Sequence, residues 1–138
     1  MIDKVSFRAF VAATEDERRV RDALGVFVSL DSISAITAQG HFGNEIKILE
    51  ASLRKKEAMA FFPILREQLP AAELLRLRRE MPERLEGDSH FHLRLDKQAA
   101  YKGMLRLTDS KDAIDVTLLI KTYPARREAA LKILSEII

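Results

Sequence analysis

The fold is decided by the stretch Lys4-Val5-Ser6-Phe7-Arg8-Ala9-Phe10-Val11-Ala12. Its apolar residues recur at every second position, which places Val5, Phe7, Ala9 and Val11 on one face of an extended chain. This period of two is the signature of a β-strand with one buried face. The buried face of such a strand has to be covered by another layer of structure. The stretch therefore predicts a sheet with one buried face, and the order of elements along the chain, given below, predicts that helices pack on that face.

The same alternation recurs further along the chain. Phe91, Leu93 and Leu95 face one way and His90, His92 and Arg94 the other, and residues 113–122 repeat the pattern. A run from Ile46 towards Leu53 alternates in its first half only. The patterns predict strands near residues 4–12, 32–38, 90–95, 103–108 and 113–122, and a further strand that begins at Ile46.

Helix signals lie between these strands. Thr14 and Glu17 have the spacing of a capping box, which predicts a helix that begins after Thr14. Pro63 either kinks a helix over 55–68 or marks the first turn of a shorter one, and Pro70 opens another helix. The segment after Pro124 is amphipathic with helical spacing. The order β-α-β-β-α-α-β-β-β-α has short connections, which predicts a mainly antiparallel α+β fold in one domain over residues 1–138.

Composition excludes several classes of function. The 138 residues contain no cysteine, so disulfide frameworks, thiolate metal sites and catalytic cysteines are excluded. No apolar run reaches the length of a membrane span, and we expect a cytoplasmic protein without membrane partners. The net charge of +2 is too small to argue for nucleic-acid binding by itself, so any basic surface has to be local.

Signatures of catalysis are also weak. The sequence has no phosphate-binding glycine loop, no dinucleotide fingerprint and no HExxH. His90 and His92 would share one face of a strand, but no third ligand lies nearby in the sequence. We predict that the protein is not an enzyme and needs no metal or cofactor. A small hydrolase built around His90, His92 and Asp96 remains the alternative.

The segment Arg94 to Gly103 carries the best candidate binding residues. Two lysines, an arginine and a tyrosine gather around one predicted turn, a combination that suits a phosphate backbone and a stacked base. The alternative is that Asp96 pairs with Lys97 or Arg94 while Tyr101 packs into the core. A second candidate is the turn 40–44, either an anion-binding loop or a plain β-turn. The predicted RNA contacts are Arg94, Lys97, Tyr101, Lys102, Asn44 and Arg8, with support from the helix that contains Arg18 to Arg21.

The stretch Arg94-Leu95-Asp96-Lys97-Gln98-Ala99-Ala100-Tyr101, followed by Gly103, resembles the most characteristic motif of an archaeal family of RNA-binding proteins and predicted exosome subunits. Thr14-Glu15-Asp16 is similar to the start of that family's first helix, and Gly43-Asn44 to its Gly-Asn turn. Glu45 and Phe42 depart from the family pattern, where proline and histidine are expected. These departures weaken any case for a histidine-centred site in the turn.

The resemblance implies an antiparallel fold similar to that of the ribosomal protein that binds 5S rRNA. It also implies a non-catalytic RNA-binding role, as an accessory factor in exosome-linked RNA processing or in ribosome assembly. The expected partners are RNA and components of the exosome or the ribosome. The second hypothesis is a protein-interaction module that docks on an RNA-processing complex and barely touches RNA.

Overall fold

The strands form one antiparallel sheet. The computed structural model describes residues 1–39, 43 and 45–138. Within them the strands are β1 (Ile2–Val11), β2 (Ser34–Gln39), β3 (Glu45–Arg54), β4 (Leu85–Glu86), β5 (His90–Asp96) and β6 (Ala113–Ile120). Their order in the sheet is β2-β3-β1-β6-β5-β4, and each neighbouring pair is antiparallel. The predicted α+β class with antiparallel pairing is confirmed.

Helices cover the face of the sheet that carries Val5, Phe7 and Ala9. In the described part of the chain they are α1 (Glu17–Leu24), α2 (Lys56–Met59), α3 (Phe61–Gln68), α4 (Ala71–Arg79), α5 (Met81–Arg84), α6 (Lys97–Tyr101) and α7 (Arg127–Ile137), with a 3-10 turn at Leu30–Ser32. None of these helices has both the length and the apolar character needed to span a membrane.

An aromatic cluster joins the sheet to the helices. The ring of Phe7 on β1 stacks on Phe27 with 5.0 Å between centroids, and the ring of Phe61 on α3 meets Phe7 edge-on at 5.6 Å. Phe62 meets Phe61 in the same edge-on manner. Offset and edge-on aromatic pairs stabilise a core beyond the area that they bury. Phe7 and the other buried side chains of β1 thus lie at the centre of the core.

Three local predictions need correction or refinement. Helix α1 begins at Glu17 because the Asp16 side chain accepts a hydrogen bond from the Arg18 amide, so Asp16 and not Thr14 is the N-cap. The predicted turn at 97–101 is the short helix α6. Pro63 lies in the first turn of α3, which confirms the shorter-helix alternative.

The predicted strand over 103–108 is wrong. Leu107 forms a single bridge with Leu95, and the Thr108 amide donates to the Arg94 carbonyl oxygen at 3.1 Å. This segment lies along the part of β5 that β4 leaves free, because β4 pairs only with Phe91 and His90. Leu105 is buried in this segment, but the segment forms no continuous ladder of hydrogen bonds with β5.

Candidate functional site

The face of the sheet opposite the helices forms a groove of about 1020 Å³. Its middle is crossed by one row of charged side chains, which the strand register aligns as Glu50, Arg8, Asp115 and Arg94. Arg8 lies 3.5 Å from Glu50, and Arg94 lies 2.9 Å from Asp115. The structure therefore brings two predicted RNA contacts, Arg8 and Arg94, onto one face, but each has a carboxylate beside it.

Two further rows lie towards the start of β1. The first contains Ser52, Ser6, Thr117 and His92, and the second begins with Arg54 and Lys4. The His92 Nδ1 atom lies 3.1 Å from the Thr117 hydroxyl. The open face thus changes along the strands from paired ions, through hydroxyl groups, to cations.

Lys97 is buried beneath the predicted turn. Its side chain is 3% exposed, and its ammonium group donates to the Phe10 carbonyl oxygen at 2.9 Å and to both Glu15 carboxylate oxygens at 3.0 Å. The Asp112 carboxylate lies 2.5 Å away. The predicted phosphate contact by Lys97 does not agree with this geometry, because the positive charge is already neutralised inside the protein. Its partners also differ from Asp96, the partner that the alternative hypothesis named.

Tyr101 lies on the surface at the end of α6. It is 40% exposed, and the Arg19 guanidinium carbon lies 5.2 Å from the centroid of its ring. A notch of about 360 Å³ beside the ring is lined in part by Thr14, Asp16 and Gln98. The structure thus favours an exposed ring over the core anchor that was the alternative.

Lys102 and Gly103 complete this surface. Lys102 is exposed, and the chain turns at Gly103 with φ of +80°, a conformation that glycine adopts without strain. We call Arg19, Tyr101 and Lys102 the Tyr101 patch. It shares no lining residue with the groove on the sheet. The predicted contacts that lie at the described surface therefore fall on two separate surfaces, Arg8 and Arg94 in the groove and Tyr101 and Lys102 in the patch.

The histidine hypothesis is not supported by the positions of its residues. The rings of His90 and His92 lie on one face with 6.5 Å between centroids, and Glu86 Oε2 lies 3.3 Å from His92 Nε2 without the alignment of a hydrogen bond. Asp96 accepts the Ala99 amide as the N-cap of α6, about 20 Å along β5 from His90. Among the described residues, no cluster of three or more histidine, aspartate or glutamate side chains could hold a metal.

The shifted pKa values belong to surface ion pairs. Hydrogen bonds from Lys47 and Arg21 lower the pKa of the Glu17 carboxyl group. Hydrogen bonds from Arg76 and Arg84 lower the pKa of Glu80, and hydrogen bonds to Asp109 and Glu80 raise the pKa of Arg76. Each cause is a paired opposite charge at the protein surface, where the Glu17 and Glu80 side chains are about 30% exposed, which is typical of structural ion pairs.

Asn44 lies outside the described residues, as does most of the predicted turn 40–44. Two features were missed by sequence reasoning. The partnership of Arg19 with Tyr101 joins positions 82 residues apart and has no signal in the sequence. The run Arg54-Lys55-Lys56, which begins two residues after Ser52, is visible in the sequence as three consecutive cations.

Comparison with known proteins gives consistent results. Residues 4–120 match the model of a protein family described as RNA binding. The chain is 31% identical to the uncharacterized protein MJ0213 of Methanocaldococcus jannaschii, over 96% of this chain and 94% of that one. It is 28% identical to the RNA-binding protein PAB1135 of Pyrococcus abyssi, over 96% of this chain and 90% of that one. The crystal structure of AF2318, a DUF54 protein from Archaeglobus fulgidus, superimposes with a TM-score of 0.88 and 32% identity, and covers 100% of both chains.

Proposed function

Because the chain belongs to this family of RNA-binding proteins, we propose that it is a non-catalytic RNA-binding protein that contacts RNA through the Tyr101 patch. The observation that carries the proposal is the exposed Tyr101 ring beside the Arg19 guanidinium group. Aromatic rings and guanidinium planes are the surfaces on which proteins stack unpaired RNA bases. Lys102, which follows the ring directly, supplies a charge for the adjoining phosphate.

The fold supports this patch as a rigid platform. Asp96 caps the start of α6, and Lys97 holds the helix against the end of β1 through the Phe10 carbonyl oxygen and the Glu15 carboxylate. Glu15 also accepts the Ala12 amide, so the chain before α1 is held by the same carboxylate. The buried ion pair thereby fixes α6 beside α1, which carries Arg19. A binding surface on fixed elements loses less entropy when it orders a ligand.

The biological setting of this RNA contact is a finer proposal that rests on the motif resemblance. We propose an accessory role in exosome-linked RNA processing or ribosome assembly, with exosome or ribosomal components as partners.

A protein-interaction module is the second candidate function, and an apolar row on the open sheet face favours it. This row crosses β2, β3 and β1 and contains Ile36, Ile48 and Phe10, of which Ile36 is 49% exposed. Exposed apolar patches commonly mark protein contacts.

The test is a fluorescence titration of the purified protein with single-stranded and structured RNA at two salt concentrations. Tyr101→Ala should weaken RNA binding by roughly 1 to 3 kcal/mol and leave the salt dependence nearly unchanged, because stacking releases no counterions. Lys102→Ala should lower the salt slope by about 0.7, the value for one phosphate contact on a single strand. Lys132→Ala, an exposed lysine on α7, is the matched control and should behave as the parent.

Two results would contradict the proposal. If the parent protein binds no RNA at low salt, the docking function takes precedence. If the parent binds RNA and neither Tyr101→Ala nor Lys102→Ala changes the affinity, the Tyr101 patch is not the contact surface. Tyr101→Phe keeps the ring and should bind as the parent, which separates stacking from a hydrogen bond of the hydroxyl group.

A further inference from the structure

Cations of two strands meet at the end of the open sheet face where β1 begins. Lys4 on β1 lies directly opposite Arg54 on β3, and Lys55 and Lys56 follow Arg54 in the chain. Within the described residues, neither Lys4 nor Arg54 has a carboxylate at ion-pair distance. This end, where Lys4 lines the groove and Arg54 is its neighbour on β3, therefore differs from the middle of the groove, where Arg8 and Arg94 are each paired with an acid.

The pairing of Lys4 with Arg54 does not stabilise the sheet. Like charges directly opposite each other on neighbouring strands are destabilising. Both side chains share the solvent side of the sheet with Ser6 and Ser52 by strand alternation, so neither contributes to the core. A bound anion between the two cations would offset their repulsion. Anion binding would therefore account for a pair of cations that the stability of the sheet does not require.

The hydroxyl row lies one step along the strands from these cations. Ser6 and Ser52 are direct neighbours on β1 and β3, and Thr117 continues the row on β6. The Thr117 hydroxyl is engaged with His92, whereas in the part of the chain that the structure describes the Ser6 and Ser52 hydroxyls have no hydrogen-bond partner in the protein. Side chains on one face repeat about every 7 Å along a strand, so the cations and the free hydroxyl groups are within reach of one nucleotide.

We propose that this end of the groove binds the sugar–phosphate backbone of single-stranded RNA and distinguishes RNA from DNA. Lys4 and Arg54 contact phosphate, and Ser6 and Ser52 exchange hydrogen bonds with the ribose 2′-hydroxyl. A serine hydroxyl matches this group because both donate and accept, and the 2′-hydroxyl is what allows a protein to tell RNA from DNA. The inference rests on the proposed RNA-binding function and adds a second surface to it.

A single strand suits the shape of the groove. The side chains of Ser32 and Ser34 border it on one side, and those of Glu83 and Arg84 border it on the other. Glu83 and Glu86 place negative charge at the second border, which repels phosphate from that side and favours a backbone that runs near β1 and β3. Single-strand binding sites commonly follow the backbone with positive charge, and among the described lining residues of this groove the lysine or arginine side chain without an ion-pair partner is Lys4, on the β1 side.

The experiment compares RNA and DNA oligonucleotides of the same base sequence, with uracil in both, in titrations at two salt concentrations. The parent should prefer RNA. The double variant Ser6→Ala/Ser52→Ala should bind RNA about 5-fold more weakly for each hydrogen bond lost, bind DNA as the parent does, and so reduce the preference. Ser135→Ala, whose hydroxyl donates only to the Lys132 carbonyl oxygen of its own helix, is the matched control.

The cations are tested by Lys4→Ala/Arg54→Ala, with Arg79→Ala/Lys132→Ala on the helix side as a control of equal charge. The groove variant should weaken RNA and DNA binding alike and lower the salt slope by about 1.4, the sum for two phosphate contacts. Its melting temperature should equal or exceed that of the parent, because the like-charge pair is gone. This readout separates lost binding from lost folding.

The outcomes distinguish this inference from the proposed function. Equal binding of RNA and DNA by the parent, with no effect of Ser6→Ala/Ser52→Ala, overturns the inference and leaves RNA binding through the Tyr101 patch intact. Loss of RNA binding in the groove variants with no effect of Tyr101→Ala supports the inference and moves the site away from the patch. A parent that binds neither nucleic acid overturns both.

Discussion

Lys97 belongs by sequence to the predicted binding segment, but its surroundings in the folded chain are those of a structural contact. It stands in a motif with Arg94, Tyr101 and Lys102, yet only its neighbours reach the surface. The Lys97 ammonium group joins three parts of the chain, through the Phe10 carbonyl oxygen and the carboxylates of Glu15 and Asp112. A buried cation requires such partners, because an unpaired charge in the interior is very unfavourable.

We expect Lys97→Ala to lower the free energy of unfolding by about 1 to 3 kcal/mol, measured by urea denaturation. The loss should be smaller than for a fully buried pair, because Glu15 and Asp112 are 24% and 69% exposed at the side chain and can be hydrated when the lysine is removed. At temperatures where the variant is folded, its salt slope for RNA should equal that of the parent. If Lys97→Ala were as stable as the parent and its RNA binding had a smaller salt slope, Lys97 would be a phosphate contact after all.

At the level of secondary-structure elements, ion pairs and aromatic contacts hold the short helices in place. Helices α4 and α5 are joined at Glu80, whose carboxylate accepts from Arg76 at 3.1 Å and from Arg84 at 2.8 Å. The Arg84 side chain also approaches the His92 carbonyl oxygen of β5 at 3.5 Å. This network links the two helices to the border of the groove.

The pH dependence of this contact follows from the lowered pKa of Glu80, which is caused by hydrogen bonds from Arg76 and Arg84. A carboxyl group with a lowered pKa in the folded state stabilises the fold above its ordinary value of 4.5, and this contribution is lost as the pH falls through the folded-state pKa. Glu80→Gln should therefore lower the melting temperature at neutral pH, and the difference from the parent should shrink as the pH falls below 4.5. Glu67→Gln on α3 is the control, and a difference independent of pH would contradict the assignment.

Helix α3 is held to the sheet by the ring of Phe61. This side chain is fully buried and contacts the rings of Phe7, Phe27 and Phe62. Phe61→Ala should lower the free energy of unfolding by about 3 to 5 kcal/mol, since it removes both the buried area and the filled volume. Phe10→Ala, on the exposed face of β1, should cost much less in the same urea titration. Equal losses would show that the cluster is not the centre of the core.

For the whole molecule, a net charge of +2 conceals an uneven distribution. The middle of the open face is neutralised by alternating acids and arginines, whereas cations gather at the start of β1 and beside Tyr101. Phosphate binding responds to local charge and to the counterions it displaces. The paired ions in the middle of the groove therefore limit non-specific attraction of nucleic acid there, and leave the cations at the start of β1 and in the separate Tyr101 patch to attract it.

Removal of one carboxylate from the charged row in the middle of the groove should increase the attraction of RNA to that region. Asp115→Asn leaves the Arg94 charge without its carboxylate, and we expect tighter RNA binding at low salt with a salt slope larger by about 0.7. Glu136→Gln on α7 makes the same change in net charge on the helix side, and it should have little effect. An equal gain in the two variants would mean that overall charge, and not the groove, attracts RNA.

The sequence by itself determined most strands of the sheet, the buried face of β1, β5 and β6, and the class of fold, but it missed the short strand β4. Alternation along β1, β5 and β6 needs only neighbours in the chain to assign each side chain to a face, because the strand period is two. The same rule placed Arg8 and Arg94 on the exposed face with Ser6 and His92. The family motif added the expectation of RNA binding, because a motif is recognised from the order of residues in the chain and does not require knowledge of their contacts.

Only the tertiary structure decided which of the motif's charges can meet a ligand. Burial of Lys97, exposure of Tyr101 beside Arg19, and the opposition of Lys4 and Arg54 each join residues that are far apart in the chain. Local patterns carry no information on such pairs, because they arise from strand register and helix packing. The charge of a side chain is written in the sequence, but whether that charge is free depends on partners that the folded chain brings to it.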